Sequence, residues 1–217
     1  MTFSTMGHAN KFDLGTVLKE ATACHPEENV VLLDKYLAAY CELARFFDLL
    51  GPIFGFVAKD LRDKIDTLQQ HQKSDHHHHY RTVQSMMKFE VENKYAKGKL
   101  PNGSRSGSRL LMRLHRPLQF ITEFMRRFRD SDDTEKIPTM AMEVYHRTLA
   151  KHHMWIIRKM AGVAVYTLPG RRKLMETLCK QEPEKVVELI TPVVDAIQII
   201  YDEIEELYKQ YDLLQLW

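Results

Sequence analysis

The sequence predicts an all-α protein of about eight helices, packed in layers around one core. Three observations carry this. Apolar residues recur at helical spacing along most of the chain. No segment sustains the alternation of a half-buried strand. Only 9 Gly and 8 Pro occur in 217 residues, so little interrupts long regular elements.

Phe12 to Cys24 reads as the first helix, closed by His25-Pro26. The preceding segment, 1–11, is expected to be a flexible tail, and 12–217 a single domain. Leu32 to Leu50 reads as the second helix, with Tyr36, Leu37, Tyr40, Leu43, Phe47 and Leu50 on one side. Gly51-Pro52 interrupts it. Proline is tolerated in the first turn of a helix, so Pro52 to about Gln70 reads as the third. Tyr80 to about Lys97 is the fourth, and Lys99 to Ser106 a loop. Ser108 to Arg129 is a long fifth helix, with a kink expected at Pro117. Ser131-Asp132-Asp133 ends it. Pro138 to about Met160 is the sixth, which can break near His152. After the turn Leu168-Pro169-Gly170 come a short helix, Arg171 to Cys179, and a last long one, Glu184 to about Tyr208. A second kink is expected in that last helix, at Pro192.

Apolar residues make up 44% and charged residues 28%, an ordinary balance for a soluble globular protein. Lys plus Arg number 31 against 29 Asp plus Glu, so the net charge is only +2. That argues against coating nucleic acid by bulk attraction and leaves room for a local basic patch. The three cysteines, Cys24, Cys41 and Cys179, do not suggest a disulfide scaffold. No signal-like apolar run opens the chain, and no stretch approaches the roughly 18 apolar residues that span a bilayer. The expected home is the cytosol, with any membrane contact peripheral.

The informative residues are charges on apolar helix faces. In the third helix, Asp60 and Lys64 continue the stripe Ile53, Phe56, Val57, Leu61, one turn apart. In the fifth, Arg109, Arg113 and Arg116 run beside Leu110, Leu114, Ile121, Phe124 and Phe128. An unpaired buried cation costs several kcal/mol. Lys64, Arg109 and Arg113 converging near Asp60 would leave excess positive charge that a bound dianion satisfies. Guanidinium forks suit phosphate oxygens. An internal ion-pair network, or stems snorkelling at the helix edge, accounts for the same pattern equally well. His153 falls on the sixth helix's stripe of Met142, Tyr145, Leu149, Ile156 and Met160. A histidine there is more often a satisfied core residue than a ligand.

Catalytic and cofactor motifs are missing. Glu143 and His146 form one Glu-x-x-His pair, whereas a di-iron bundle needs two. His76 to His79 reads as a solvated loop rather than a metal site. Gly98-Lys99 lacks the P-loop context, and there is no nucleophile elbow. Neither a catalytic role nor a cofactor is expected. Lys94 to Arg109 carries five basic residues and no acid. That suits a merely soluble loop or an anionic membrane surface better than RNA, because Tyr95 is the segment's one aromatic ring.

Four segments carry a family resemblance: Leu49-Leu50-Gly51-Pro52-Ile53-Phe54-Gly55-Phe56-Val57-Ala58-Lys59-Asp60, Arg109-Leu110-Leu111-Met112-Arg113-Leu114-His115-Arg116, His153-Met154-Trp155-Ile156-Ile157-Arg158 and Thr167-Leu168-Pro169. Together they resemble the glycolipid transfer protein superfamily, over nearly the whole chain from Phe12. Sugar-binding members carry Asn where this chain has Lys64, and a sugar-stacking Trp where it has Arg113. Both changes exchange hydroxyl recognition for anion recognition and point to the branch whose cargo is ceramide-1-phosphate. The resemblance implies a two-layer helical sandwich that opens to admit lipid chains. It implies that Asp60 accepts from the ceramide amide and hydroxyl, that Lys64, Arg109 and Arg113 bind phosphate, and that His153 donates to the acyl carbonyl. Arg116 would support that cluster. Members of the branch often have Pro after the His. Met154 stands there instead, and a slightly altered helix geometry is expected. The implied activity is non-catalytic transfer of the lipid between membranes by a monomer that touches them transiently. A lipid sensor of the same fold, or a helical enzyme with a phosphorylated substrate, are the other readings.

Overall fold

The computed structural model describes residues 11–74 and 76–216. The expected tail, 1–11, lies outside them except for Lys11, and so does Asp75 beside the histidine run. Among the described residues there are nine α-helices and no strands: α1 (Leu14–Cys24), α2 (Leu33–Leu49), α3 (Pro52–Gln72), α4 (Val83–Glu92), α5 (Gly107–Asp130), α6 (Ile137–Thr148), α7 (Trp155–Val165), α8 (Arg171–Leu178) and α9 (Pro183–Gln210). The all-α expectation holds.

Local chemistry sets the boundaries. The Asp13 carboxylate caps α1 by accepting from the Thr16 N–H at 3.2 Å. Gly51 separates α2 from α3 at φ 101° and ψ −176°, a region that is essentially glycine-only. Pro52 then opens α3 with its φ already helical. Thr82 and Ser85 form a reciprocal capping box that starts α4. The fourth helix is shorter than expected, and a 3-10 turn at His77–Tyr80 precedes it. The histidine run is therefore ordered in part, with the His79 ring stacked on Phe89 at 4.1 Å.

The expected sixth helix is two helices. The Thr148 hydroxyl donates back to the Val144 carbonyl at 2.8 Å, a bond that bends helices. The chain tightens into a 3-10 turn at Ala150–His152, and His153 and Met154 follow in extended conformation. His153 thus sits in a corner between α6 and α7 rather than on a continuous stripe. Pro117 and Pro192 both lie inside unbroken helices. Pro117 cannot donate to the carbonyl four residues back, which belongs to Arg113.

Neighbours in sequence pack in order, α1 on α2, α2 on α3, and α5 on α6. The long α9 packs on both α1 and α5, while α3 also meets α5. Tyr40 and Tyr208 join these helices internally: the Tyr40 hydroxyl donates to the Leu114 carbonyl, and that of Tyr208 to the Ser108 carbonyl. No helix among the described residues is long and apolar enough to cross a membrane.

Candidate functional site

An apolar pocket opens among α2, α3, α5 and the C-terminal helices. Phe12, Leu43, Phe46, Phe47 and Phe54 come from the α1–α3 side, and Phe120, Phe124, Phe128, Val165 and Ile190 from α5–α9. The space is about 870 Å³, including the part open to solvent, and every lining side chain is apolar. Such a wall can hold hydrocarbon and offers it no polar contact. The rings come from residue 12, residues 46–54 and residues 120–128, so no single stretch announces the pocket.

The third helix carries Asp60 and Lys64. Phe54, Ala58, Leu61, Ile65 and Leu68 are its buried residues, whereas Ile53 and Phe56 are exposed. The buried face is therefore rotated from the stripe read in the sequence. Lys64 falls on it and is only 6% exposed. Asp60 falls beside it, with a side chain 69% exposed. The Lys64 ammonium reaches the Asp60 carboxylate at 2.5 Å and the Asp60 carbonyl at 3.0 Å. Asp60 is not in a buried stripe. It is an accessible carboxylate tethered to a buried cation.

The fifth helix carries Arg109, Arg113 and Arg116. Its start is fixed by Glu90 of α4, which is fully buried. That carboxylate accepts from the Gly107 N–H at 2.6 Å, the Ser108 N–H at 2.8 Å, the Ser108 hydroxyl at 2.6 Å and the Tyr80 hydroxyl at 2.7 Å. A negative charge at a helix N-terminus meets the positive end of its dipole. Gly107 is needed for this approach, since a Cβ there would lie 2.4 Å from the Met86 sulfur.

Arg109, Arg113 and Arg116 leave this helix with different partners. The half-buried Arg109 donates to the Lys97 carbonyl at 3.0 Å, in a solvent-exposed bond. Arg116 donates to Glu205 of α9 at 2.8 Å. The half-buried Arg113 has no hydrogen-bond or ion-pair partner among the described residues. Sequence reasoning missed Glu205 and His115. The His115 ring is fully buried, meets Glu205 at 2.8 Å and stacks on Tyr201 at 4.3 Å. Burial pushes the His115 imidazole pKa down, opposed by Glu205. The bond from His115, with Arg116 adding to it, holds the Glu205 carboxyl at about 2. One signal was available: position 115 sits among Leu111, Leu114 and Leu118, all buried on the same helix.

His153 completes the arrangement from the α6–α7 corner. Its Nδ1 lies 2.9 Å from the Tyr145 hydroxyl. Burial lowers its pKa, while the charge of Asp60 acts in the opposite direction. Asp60 and His153 are thus within electrostatic reach. The neighbouring His152 is lowered by burial and by Arg116. A continuous set of interactions therefore runs from Lys64 through Asp60 and the two histidines to Arg116 and Glu205.

Beyond this corner, α7 is apolar and outward-facing. Met154 is 72% exposed and Trp155 60%, with Ile156, Met160, Val163 and Tyr166 also exposed. The Lys159 ammonium sits 4.8 Å above the Trp155 ring. Periodicity assigned Ile156 and Met160 to the core. The stripe is real, but past Leu149 it is left exposed among the described residues.

Residues 31–180 match the family model described as glycolipid transfer protein. The ceramide-1-phosphate transfer protein of Mus musculus is 34% identical over 208 residues, covering 94% of this chain and 96% of that protein. That of Danio rerio is 35% identical over 209 residues, covering 96% and 99%. The crystal structure of human ceramide-1-phosphate transfer protein in complex with 2:0 ceramide-1-phosphate superposes with a TM-score of 0.87 at 31% identity, covering 95% of this chain and 100% of that one. Sequence and fold agree over nearly the whole length: the chain belongs to the glycolipid transfer protein family, as its four marker segments imply.

Proposed function

We propose that this protein carries ceramide-1-phosphate between membranes without covalent chemistry. The observation that carries the reading is Arg113, a half-buried guanidinium without a hydrogen-bond or ion-pair partner among the described residues, on the same helix that lines the apolar pocket with Phe120, Phe124 and Phe128. A cation in that setting is costly unless something else neutralises it. In this reading Lys64, Arg109 and Arg113 grip the phosphate. Those three cations against the one carboxylate of Asp60 leave two positive charges. A phosphate monoester carries about −1.5 to −2 at pH 7 and fits that balance. Asp60, exposed and accessible, accepts from the ceramide amide and hydroxyl, and His153 donates to the acyl carbonyl.

The division of labour follows from physical chemistry. Each buried methylene contributes about 0.8 kcal/mol, so the chains in the phenylalanine-lined pocket supply affinity. They discriminate little between sphingolipids that share them. Discrimination falls to the headgroup, where a wrong partner leaves Arg113 unpaired. The exposed face of α7, with Trp155 and the nearby Lys159, suits transient contact with a membrane surface. Residues 12–217 act as one lipid-transfer domain, as a monomer in the cytosol. The relatives' names and the lipid held by the human protein support the choice of cargo.

Vesicle transfer tests this directly. Donor vesicles carrying fluorescent ceramide-1-phosphate should lose it to acceptors at a rate proportional to protein. Binding without transfer would mean a sensor. Release of free phosphate would mean an enzyme.

A further inference from the structure

Tyr145 of α6 meets His153 across the corner between α6 and α7. It is 4% exposed and packs with Leu149 and Ala150 in a small apolar cluster. Its hydroxyl lies 2.9 Å from Nδ1 of His153, and it makes no other hydrogen bond among the described residues. We propose that Tyr145 is a positioning residue for the headgroup site: its hydroxyl donates to Nδ1 of His153 and so keeps the ring proton on Nε2, as a donor for the cargo.

The assignment follows from counting donors. A neutral imidazole has one donor nitrogen and one acceptor, and a phenol has one hydrogen to give. If Nδ1 carried the proton and donated to the phenol, the phenol hydrogen would need another acceptor. The Leu149 and Ala150 side chains packed on Tyr145 offer no acceptor, so that hydrogen would be left without a protein partner at a part-buried site, a costly arrangement. Donation from the phenol to Nδ1 satisfies both groups with one bond. The bond made by one ring nitrogen sets the proton on the other. Burial raises the Tyr145 pKa and lowers that of His153, which keeps the phenol protonated and the ring neutral near pH 7.

The backbone supports the same geometry. His153 is held extended at φ −106° and ψ 139° between the 3-10 turn and α7. Its ring lies 5.7 Å from that of Tyr145. Nε2–H then suits a carbonyl acceptor and repels a cationic group. That the acceptor is the acyl carbonyl of ceramide-1-phosphate rests on the transfer reading above. The tautomer does not.

The test uses the full chain and Tyr145→Phe, which keeps the ring and removes the hydroxyl. Nitrogen-15 NMR of the imidazoles should show His153 with a bare Nδ1 and a protonated Nε2 in the unmodified protein. In Tyr145→Phe both tautomers should appear. Ceramide-1-phosphate transfer should fall about tenfold in Tyr145→Phe, the equivalent of one lost directional hydrogen bond. In a His153→Ala background the same substitution should cost nothing further, because the two residues act as one unit. A proton on Nδ1 in the unmodified protein, an unchanged tautomer in Tyr145→Phe, or losses that add in the double variant would overturn the proposal. The assigned tautomer in a protein that moves no ceramide-1-phosphate would support the lock and overturn the transfer reading instead.

Discussion

Arg113→Ala separates a binding residue from a structural one, because Arg113 holds nothing among the described residues. With no partner there to leave unsatisfied, its removal should cost only the packing of a half-buried stem, about 0.5 kcal/mol of stability. Its cost to binding should be far larger. A guanidinium fork on a phosphate makes two charge-assisted hydrogen bonds, each contributing about 1.5–3 kcal/mol. Taking the low end of both gives about 3 kcal/mol, or about 150-fold in affinity. Arg113→Lys keeps the charge but loses the fork, and about tenfold of the loss should remain. The assay pairs thermal unfolding by circular dichroism with ceramide-1-phosphate transfer between vesicles. Undiminished transfer by Arg113→Ala would refute the reasoning. So would a loss of several kcal/mol of stability, which would make Arg113 part of the scaffold.

The remaining predictions concern the supports of the site. Glu90→Gln keeps one acceptor oxygen but turns an amide NH2 toward the donors at the start of α5. Urea unfolding should show a loss of about 3 kcal/mol, since buried donors are left unpaired. Glu205 has its pKa depressed from 4.5 to about 2, so its contribution is complete above the ordinary carboxylate range and disappears as pH falls through about 2. Allowing for solvent screening, Glu205 accounts for about 2 kcal/mol, and urea midpoints measured from pH 6 to pH 2 should fall less steeply in Glu205→Gln. Trp155→Ala should leave the melting temperature within error, because the ring is largely exposed. Sedimentation with anionic vesicles should show about tenfold weaker partitioning, since the ring's burial in the interface is lost.

Much of this was legible in the sequence where short-range chemistry decides. Gly51-Pro52 marks a helix junction because few residues but glycine adopt φ 101° there, and because proline starts a helix well. Asp60 and Lys64 are one turn apart in any α-helix, so their ion pair follows from spacing alone. What periodicity does not fix is which face is covered. On α3 the buried face carries Phe54 and Lys64, while Ile53 and Phe56 point to solvent. On α7 an apolar stripe faces outward, and an outward stripe has the same period as an inward one. The long-range partners of the buried carboxylate and imidazole were out of reach for another reason. Glu90 meets Gly107 across 17 positions and His115 meets Glu205 across 90, and no local pattern links residues that far apart. The expected sixth helix divides around a 3-10 turn at Ala150–His152, and the apolar period that runs from Met142 to Met160 gives no sign of it.

The central claim is that the headgroup site selects a phosphate monoester while the pocket accepts the chains. The most direct measurement is the initial transfer rate, by the unmodified protein, of ceramide-1-phosphate, sphingomyelin and a simple glycosylceramide with identical chains. The account predicts rapid transfer of ceramide-1-phosphate and little of the other two, since neither brings a dianion to Lys64, Arg109 and Arg113. Equal rates for all three, or a preference for the glycosylceramide, would contradict it.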